Sequence, residues 1–200
     1  MTSQERDAYL DSVLLGGREF VTVVVQDYDQ EWPTVYASVR GRVMAALGAR
    51  AVDVQHIGST SVPGLAAKPV VDVLLTVKDV SDEPAYVPAL EGAGFLLRVR
   101  EPGHRMFRTH RKDVHLHVYE PDDQAVTDYL DLRDWLRVDS EDRERYAELK
   151  RNLSQRSWSD MNHYADAKSD VIQQVLTRAR AWRLMGAVRR SASLRTAWHH

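Results

Sequence analysis

Apolar residues in this chain follow two periods, and the change from one to the other divides it. A spacing of two marks a strand, and a spacing of three to four marks a helix face. "TSQERDAYLDSVLLGG" predicts an N-terminal helix stopped by Gly16 and Gly17. "FVTVVVQ" is short and β-branched, which predicts a strand. Past "DQEWP", with Pro33 tolerated in the first turn, Tyr36, Val39, Val43 and Leu47 keep helical spacing until Gly48. "AVDVQHI" and "KPVVDVLLTV" predict two strands, the second more buried. "EPAYVPALEGAG" predicts a short helix. "FLLRVRE", "HRMFRTH" and "VHLHVYE" predict three consecutive strands, with turns at Pro102-Gly103 and Arg111–Asp113. From Asp122 the spacing is helical to about Arg189, with breaks near Asp139-Ser140 and Ser154–Asp160. The expected arrangement is one domain over 1–190, with an αβ part over about 18–121 and a helical part over about 122–189. A flexible tail is expected over 191–200.

Several polar residues sit where this pattern asks for apolar ones. Asp72 shares a strand face with Val70, Leu74 and Thr76, while Val71, Val73, Leu75 and Val77 occupy the other. An unpaired carboxylate there would cost several kcal/mol, so it needs a cation, a backbone turn or a metal. In "DVHLHVYE", Val114, Leu116 and Val118 form the core face, and His115 and His117 point the other way together. Two imidazoles so placed suit metal or phosphate, while a solvated strand face explains them equally well. Three helical stripes each carry one cation: Arg133 with Tyr129, Leu132 and Leu136; Lys150 with Tyr146, Leu149 and Leu153; Lys168 with Tyr164, Val171 and Val175. One such cation snorkels. Three that converge, with Arg137 one turn beyond Arg133, would build a positive pocket for phosphate or carboxylate. The Gly58-Ser59-Thr60 turn fits the same chemistry, since glycine admits close backbone approach and the amides and hydroxyls can cradle phosphate. His56 is expected to orient that loop, and His104 and His110 to lie on the surface.

Composition excludes more than it assigns. The 200 residues are 44% hydrophobic and 28% charged, with a net charge of −2, so global charge selects neither nucleic acid nor membrane. The absence of cysteine removes disulfides, thiolate zinc sites and thiol nucleophiles. No signal peptide and no apolar run long enough to cross a bilayer is seen, and a cytoplasmic protein is expected. Neither a Walker lysine motif nor Gly-x-Gly-x-x-Gly occurs. After Asp170 the chain has no acid and six arginines, Arg178, Arg180, Arg183, Arg189, Arg190 and Arg195. Core packing of Val171, Val175, Ala179 and Trp182 explains that helix better than a nucleic-acid track.

"HIGSTSVPGLAAKPVVD", "HLHV", "LRDWLR", "YAELKR" and "YADAK" resemble, in order and spacing, the GrpB family over roughly residues 25–176. The resemblance implies the polymerase-beta-type nucleotidyltransferase fold: an α+β, nucleotidyltransferase-like mixed β-sheet with flanking helices, followed by a C-terminal helical portion. That superfamily places Gly-Ser on a turn, two carboxylates one residue apart on the next strand, and a third on a later strand, to hold a divalent metal, usually magnesium. Gly58, Ser59 and Asp72 match; position 74 is Leu, and His115 and His117 stand where the third carboxylate is expected. Position 55, commonly Glu in the family, is Gln. One carboxylate with two imidazoles suits zinc or manganese better than magnesium; a site that has abandoned the metal is the other reading.

The resulting expectation is a protein that binds a nucleotide or other phosphorylated small molecule. It would transfer a nucleotidyl group from a nucleoside triphosphate to a small-molecule acceptor with magnesium, manganese or zinc. Asp72, His115 and His117 would form the catalytic and metal site. Gly58, Ser59, Thr60, Lys68, Arg133, Arg137, Lys150 and Lys168 would hold phosphate. The alternative is a non-catalytic binding module that retains the fold. Neither nucleic acid nor membrane is an expected partner.

Overall fold

The computed structural model describes residues 2–19 and 22–196, the stretch 187–196 by its backbone. Helix α1 spans Ser3–Val13, and Thr2 and Glu5 close a capping box at its start. Helix α2 spans Trp32–Leu47 with Pro33 in its first turn, and Gly48 ends it. Strands β1 (Asp53–Ile57) and β2 (Val71–Thr76) follow, then a short helix α3 (Val87–Gly92) and strands β3 (Phe95–Glu101), β4 (His104–Thr109) and β5 (Val114–Tyr119). Helices α4 (Gln124–Val138), α5 (Ser140–Ser154), α6 (Met161–Asp166) and α7 (Ser169–Thr196) complete the chain. The strands form one sheet in the order β1-β2-β5-β4-β3. Of these neighbouring strands only β2 and β5 run parallel, so the sheet is mixed and the fold is α+β.

The two faces of the sheet have separate duties. Val71, Val73 and Leu75 of β2 and Val114, Leu116 and Val118 of β5 face Val39, Val43 and Leu47 of α2, all buried. Each such side chain removed from water contributes roughly 1.5–3 kcal/mol. The opposite face carries Asp72, His115 and His117. In β3 a bulge at Arg98 interrupts the alternation: Leu97 pairs with Phe107, but Val99 pairs with Met106. The extra residue moves Val99 and Glu101 from the core face to the face of Met106 and His104. The buried Arg98 guanidinium holds the bulge by donating to the carbonyls of Leu15 and Gly17 after α1.

Four expectations change here. "FVTVVVQ" is not a strand: Phe20 and Val21 lie outside the described residues, and 22–25 are irregular. Only Gln26 bridges, to Ala67. Val23 is instead buried against Leu153 and Tyr164, so the apolar run reports helix contact rather than sheet pairing. The stripe Tyr164–Val175 is split, since Lys168 lies in the turn between α6 and α7. Trp182 is 43% exposed rather than core, although its ring lies 6.0 Å from that of Trp135. Helix α7 runs on through Thr196, and 197–200 lie outside the described residues.

The irregular segment before α2 is tied to the β4–β5 turn by Glu19, which meets Arg108 at 2.8 Å and Lys112 at 2.7 Å. Their hydrogen bonds hold its carboxyl down at about 2 against an ordinary 4.5. A depressed carboxylate stabilises the fold fully above its unfolded value and stops doing so as pH falls from 4.5 to about 2. Glu19→Gln is therefore expected to cost about 1 kcal/mol at pH 7, after solvent screening, and nothing near pH 2. Urea melts at the two pH values check this, and an equal loss at both contradicts it.

Candidate functional site

The parallel β2–β5 register sets Asp72 beside His115 and Leu74 beside His117. Because β5 alternates, both imidazoles leave the core face together and flank the carboxylate. His115 Nδ1 lies 3.4 Å and His117 Nε2 3.7 Å from Asp72 Oδ1. Their donor atoms lie within 4.8 Å of one another, a grouping able to hold a metal ion. The carboxylate also explains Gly58. That residue has φ +68°, and a Cβ there would collide with Asp72 Oδ2. The close approach that demands glycine is thus to the aspartate itself.

The expected phosphate-binding residues separate into two groups. Thr60 is buried and bonds His56 Nε2 at 3.0 Å, and His56 stacks on Tyr36. Burial pushes His56 down to about 4, so it stays neutral and orients the loop. Arg133 donates to Gln55 Oε1 and the His56 carbonyl, and Arg137 donates twice to the Ser61 carbonyl. Thr60, Arg133 and Arg137 brace the Gly-Ser-Thr loop through these bonds. Burial pushes the Tyr146 phenol up to about 12, and neighbouring Ser59 opposes that rise.

Lys68, Lys150 and Lys168 form the second group. Burial lowers all three, Lys68 to about 8 and Lys150 well below the usual lysine value, and the charge of Asp72 opposes that fall in each. Lys168 in turn depresses Lys68 and Lys150. Lys150 donates to the Ala66 carbonyl and lies 4.6 Å from the centre of the Tyr146 ring; Lys168 lies 4.5 Å from that of Tyr164; Lys68 meets the Met161 sulfur at 2.8 Å. Among the described residues none of the three has a carboxylate within ion-pair distance. One carboxylate amid three lysines leaves an excess of positive charge beside the Asp–His–His group.

Residue spacing alone does not point to the further groups on this face. His104, expected on the surface, is 9% exposed. It stacks on Tyr119, and its Nε2 lies 3.2 Å from His117 Nδ1. Glu101 Oε1 meets His104 Nδ1 at 2.7 Å. Tyr129 of α4 covers His117 and Tyr119, and burial raises its phenol to about 12. The signal for His104 is the cross-strand pairing of β4 with β5, which continues Met106 opposite His117 toward Tyr119. The α7 arginines go elsewhere: Arg178, Arg180 and Arg183 pair with Asp142, Asp128 and Asp131. They staple α7 to α4 and α5 and leave no free basic track among them.

The family described as "GrpB protein" matches residues 22–178. The chain belongs to the GrpB family. A relative from Streptomyces coelicolor, a UPF0157 protein, is 53% identical over 85% of this chain and 91% of its own. The crystal structure of a conserved protein GrpB from Enterococcus faecalis covers 80% of this chain and 99% of its own at 27% identity, with a TM-score of 0.69. A Mycolicibacterium paratuberculosis protein named dephospho-CoA kinase is 28% identical over 77% of this chain but only 45% of its own length. Leu74, at the position where the sequence resemblance implies a second carboxylate, is 1% exposed. No helix among the described residues is long and apolar enough to cross a membrane.

Proposed function

We propose that this GrpB protein binds a nucleotide or another phosphorylated small molecule, with a divalent metal at Asp72, His115 and His117. The observation that carries the reading is the set of three lysines without carboxylate partners around one aspartate. Such a set is left to be neutralised by an anion, and a phosphate chain supplies several charges at once. Ser59 and the Gly58 backbone would stand at one end of that chain, with Lys68, Lys150 and Lys168 along it. A dication at the Asp–His–His group would supply Lewis-acid chemistry to a phosphoryl oxygen. The donor set fits manganese or zinc rather than magnesium, which favours oxygen alone. Transfer of a nucleotidyl group to a small-molecule acceptor is the reaction this arrangement suits, with the lysines neutralising charge that develops on the leaving phosphates.

Leu74 favours a second reading, a binding module without turnover. One experiment separates the two. Purified protein is heated with ATP, UTP, pyrophosphate or dephospho-CoA, each with manganese, zinc or magnesium, and pyrophosphate release is followed in parallel with candidate acceptors. Dephospho-CoA joins the panel because a relative carries that kinase's name. Stabilisation by a nucleotide–metal pair is expected, lost in Asp72→Asn; release of pyrophosphate assigns transfer, and stabilisation without release assigns the module. Absence of stabilisation with every pair overturns both.

A further inference from the structure

The hydrogen bonds behind His117 dictate which of its nitrogens faces the site. A carboxylate only accepts. Glu101 Oε2 takes the Tyr9 hydroxyl at 2.5 Å, and its Oε1 faces His104 Nδ1 at 2.7 Å, so that nitrogen carries a hydrogen. A neutral imidazole has one donor and one acceptor. His104 Nε2 is therefore the acceptor, and His117 Nδ1, 3.2 Å away, donates to it. His117 Nε2 is left with a bare lone pair 3.7 Å from Asp72 Oδ1. That separation is too long for a hydrogen bond. Two acceptors held face to face repel unless a cation lies between them. Ligand atoms about 2.0–2.1 Å from a tetrahedral ion stand roughly 3.4 Å apart, close to the 3.4 and 3.7 Å by which the two histidines flank Asp72.

We infer that Glu101 and His104 are positioning residues that hold His117 with Nδ1 protonated and Nε2 bare, making the site one for a nitrogen-preferring transition-metal dication over magnesium. The inference rests on the metal reading given above and deepens it. The arrangement is rigid by construction. The His104 ring lies 4.4 Å from the Tyr119 ring and 10° from parallel with it, and 5.4 Å from the His117 ring and 9° from parallel with that. Glu101 reaches it only because the bulge at Arg98 turns the end of β3 onto this face. A ligating histidine that donates its other nitrogen to a fixed acceptor is the usual outer-shell arrangement of metal sites.

The test uses two variants of the full chain and two readouts. His104→Phe keeps a stacked ring and removes the acceptor. His104→Gln supplies an amide oxygen that can accept from His117 Nδ1, and it keeps the test open if the phenylalanine variant does not fold. Calorimetric titration with zinc, manganese and magnesium is expected to show tighter zinc than magnesium in the wild type, a loss of zinc affinity of about ten- to a hundredfold in His104→Phe, and recovery in His104→Gln. Ring-nitrogen NMR of the metal-free protein is expected to show His117 protonated at Nδ1 in the wild type and His104→Gln, and at Nε2 in His104→Phe. A wild type protonated at Nε2, or a phenylalanine variant that binds zinc as the wild type does, overturns the role of Glu101 and His104 while the metal site stands. A wild type that binds no dication overturns the metal reading itself.

Discussion

Gly58→Ala is expected to lower stability by about 2–5 kcal/mol and to abolish metal binding at Asp72. Two costs add. The residue has φ +68°, where an L side chain is strained, and its new Cβ would collide with Asp72 Oδ2 and stand 3.0 Å from Asp72 Cβ. The flexible end of Asp72 can turn away, but only by leaving His115 and His117. Gly64→Ala is the matched control. Gly64 has φ +79° and nothing within 4 Å of the place a Cβ would take, so it reports backbone strain alone, about 1 kcal/mol. Urea melts and zinc titration of both variants check this. Equal losses of stability, with metal binding kept in both, would mean that the glycine serves only the turn.

Lys150→Met is expected to weaken nucleotide or pyrophosphate binding by about ten- to a hundredfold, the worth of one charge-assisted hydrogen bond. In the absence of ligand the same variant is expected to be as stable as the parent or more so, by up to about 3 kcal/mol. The reason is burial without compensation: Lys150 is 2% exposed, and its ammonium has a carbonyl and an aromatic face in place of a carboxylate. Methionine fills the same volume and removes that cost, as happens when a functional site is relieved of its strain. Denaturant melts without ligand and calorimetry with pyrophosphate give the two numbers. A large loss of stability with binding unchanged would make Lys150 a structural donor to Ala66 and nothing more.

The lysines and arginines show why residue spacing alone could not sort the cations. Arg133, Lys150 and Lys168 look equivalent in sequence, each one polar position in an apolar stripe. What distinguishes them is the surface each stripe meets. Arg133 of α4 reaches the end of β1, where Gln55 and the His56 carbonyl take its donors. Lys150 and Lys168 come down where Asp72 is the available negative charge. The α7 arginines carry the same lesson: a row of basic residues reads as a track until the aspartates of α4 and α5 are seen opposite it.

By itself the sequence determined the elements whose periodicity is local. Period-two runs gave the strands β1 to β5, the 3.6-residue spacing gave α2, α4 and α5, and the alternation in "VHLHVY" placed His115 and His117 on one face. Their link to Asp72 was readable too, through the motifs of the GrpB family. The tertiary structure decided the rest, because each remaining feature depends on a pairing between distant segments. "FVTVVVQ" has strand composition, but its Val23 and Val25 pack on α5 and α6 instead of pairing into the sheet. Strict alternation would put Glu101 on the core face with Phe95 and Leu97; one bulge residue, held by carbonyls after α1, reverses that and delivers it to His104. Alternation is a property of one strand, whereas a bulge is a property of two, and so the group that orients His117 could only be found in the folded chain.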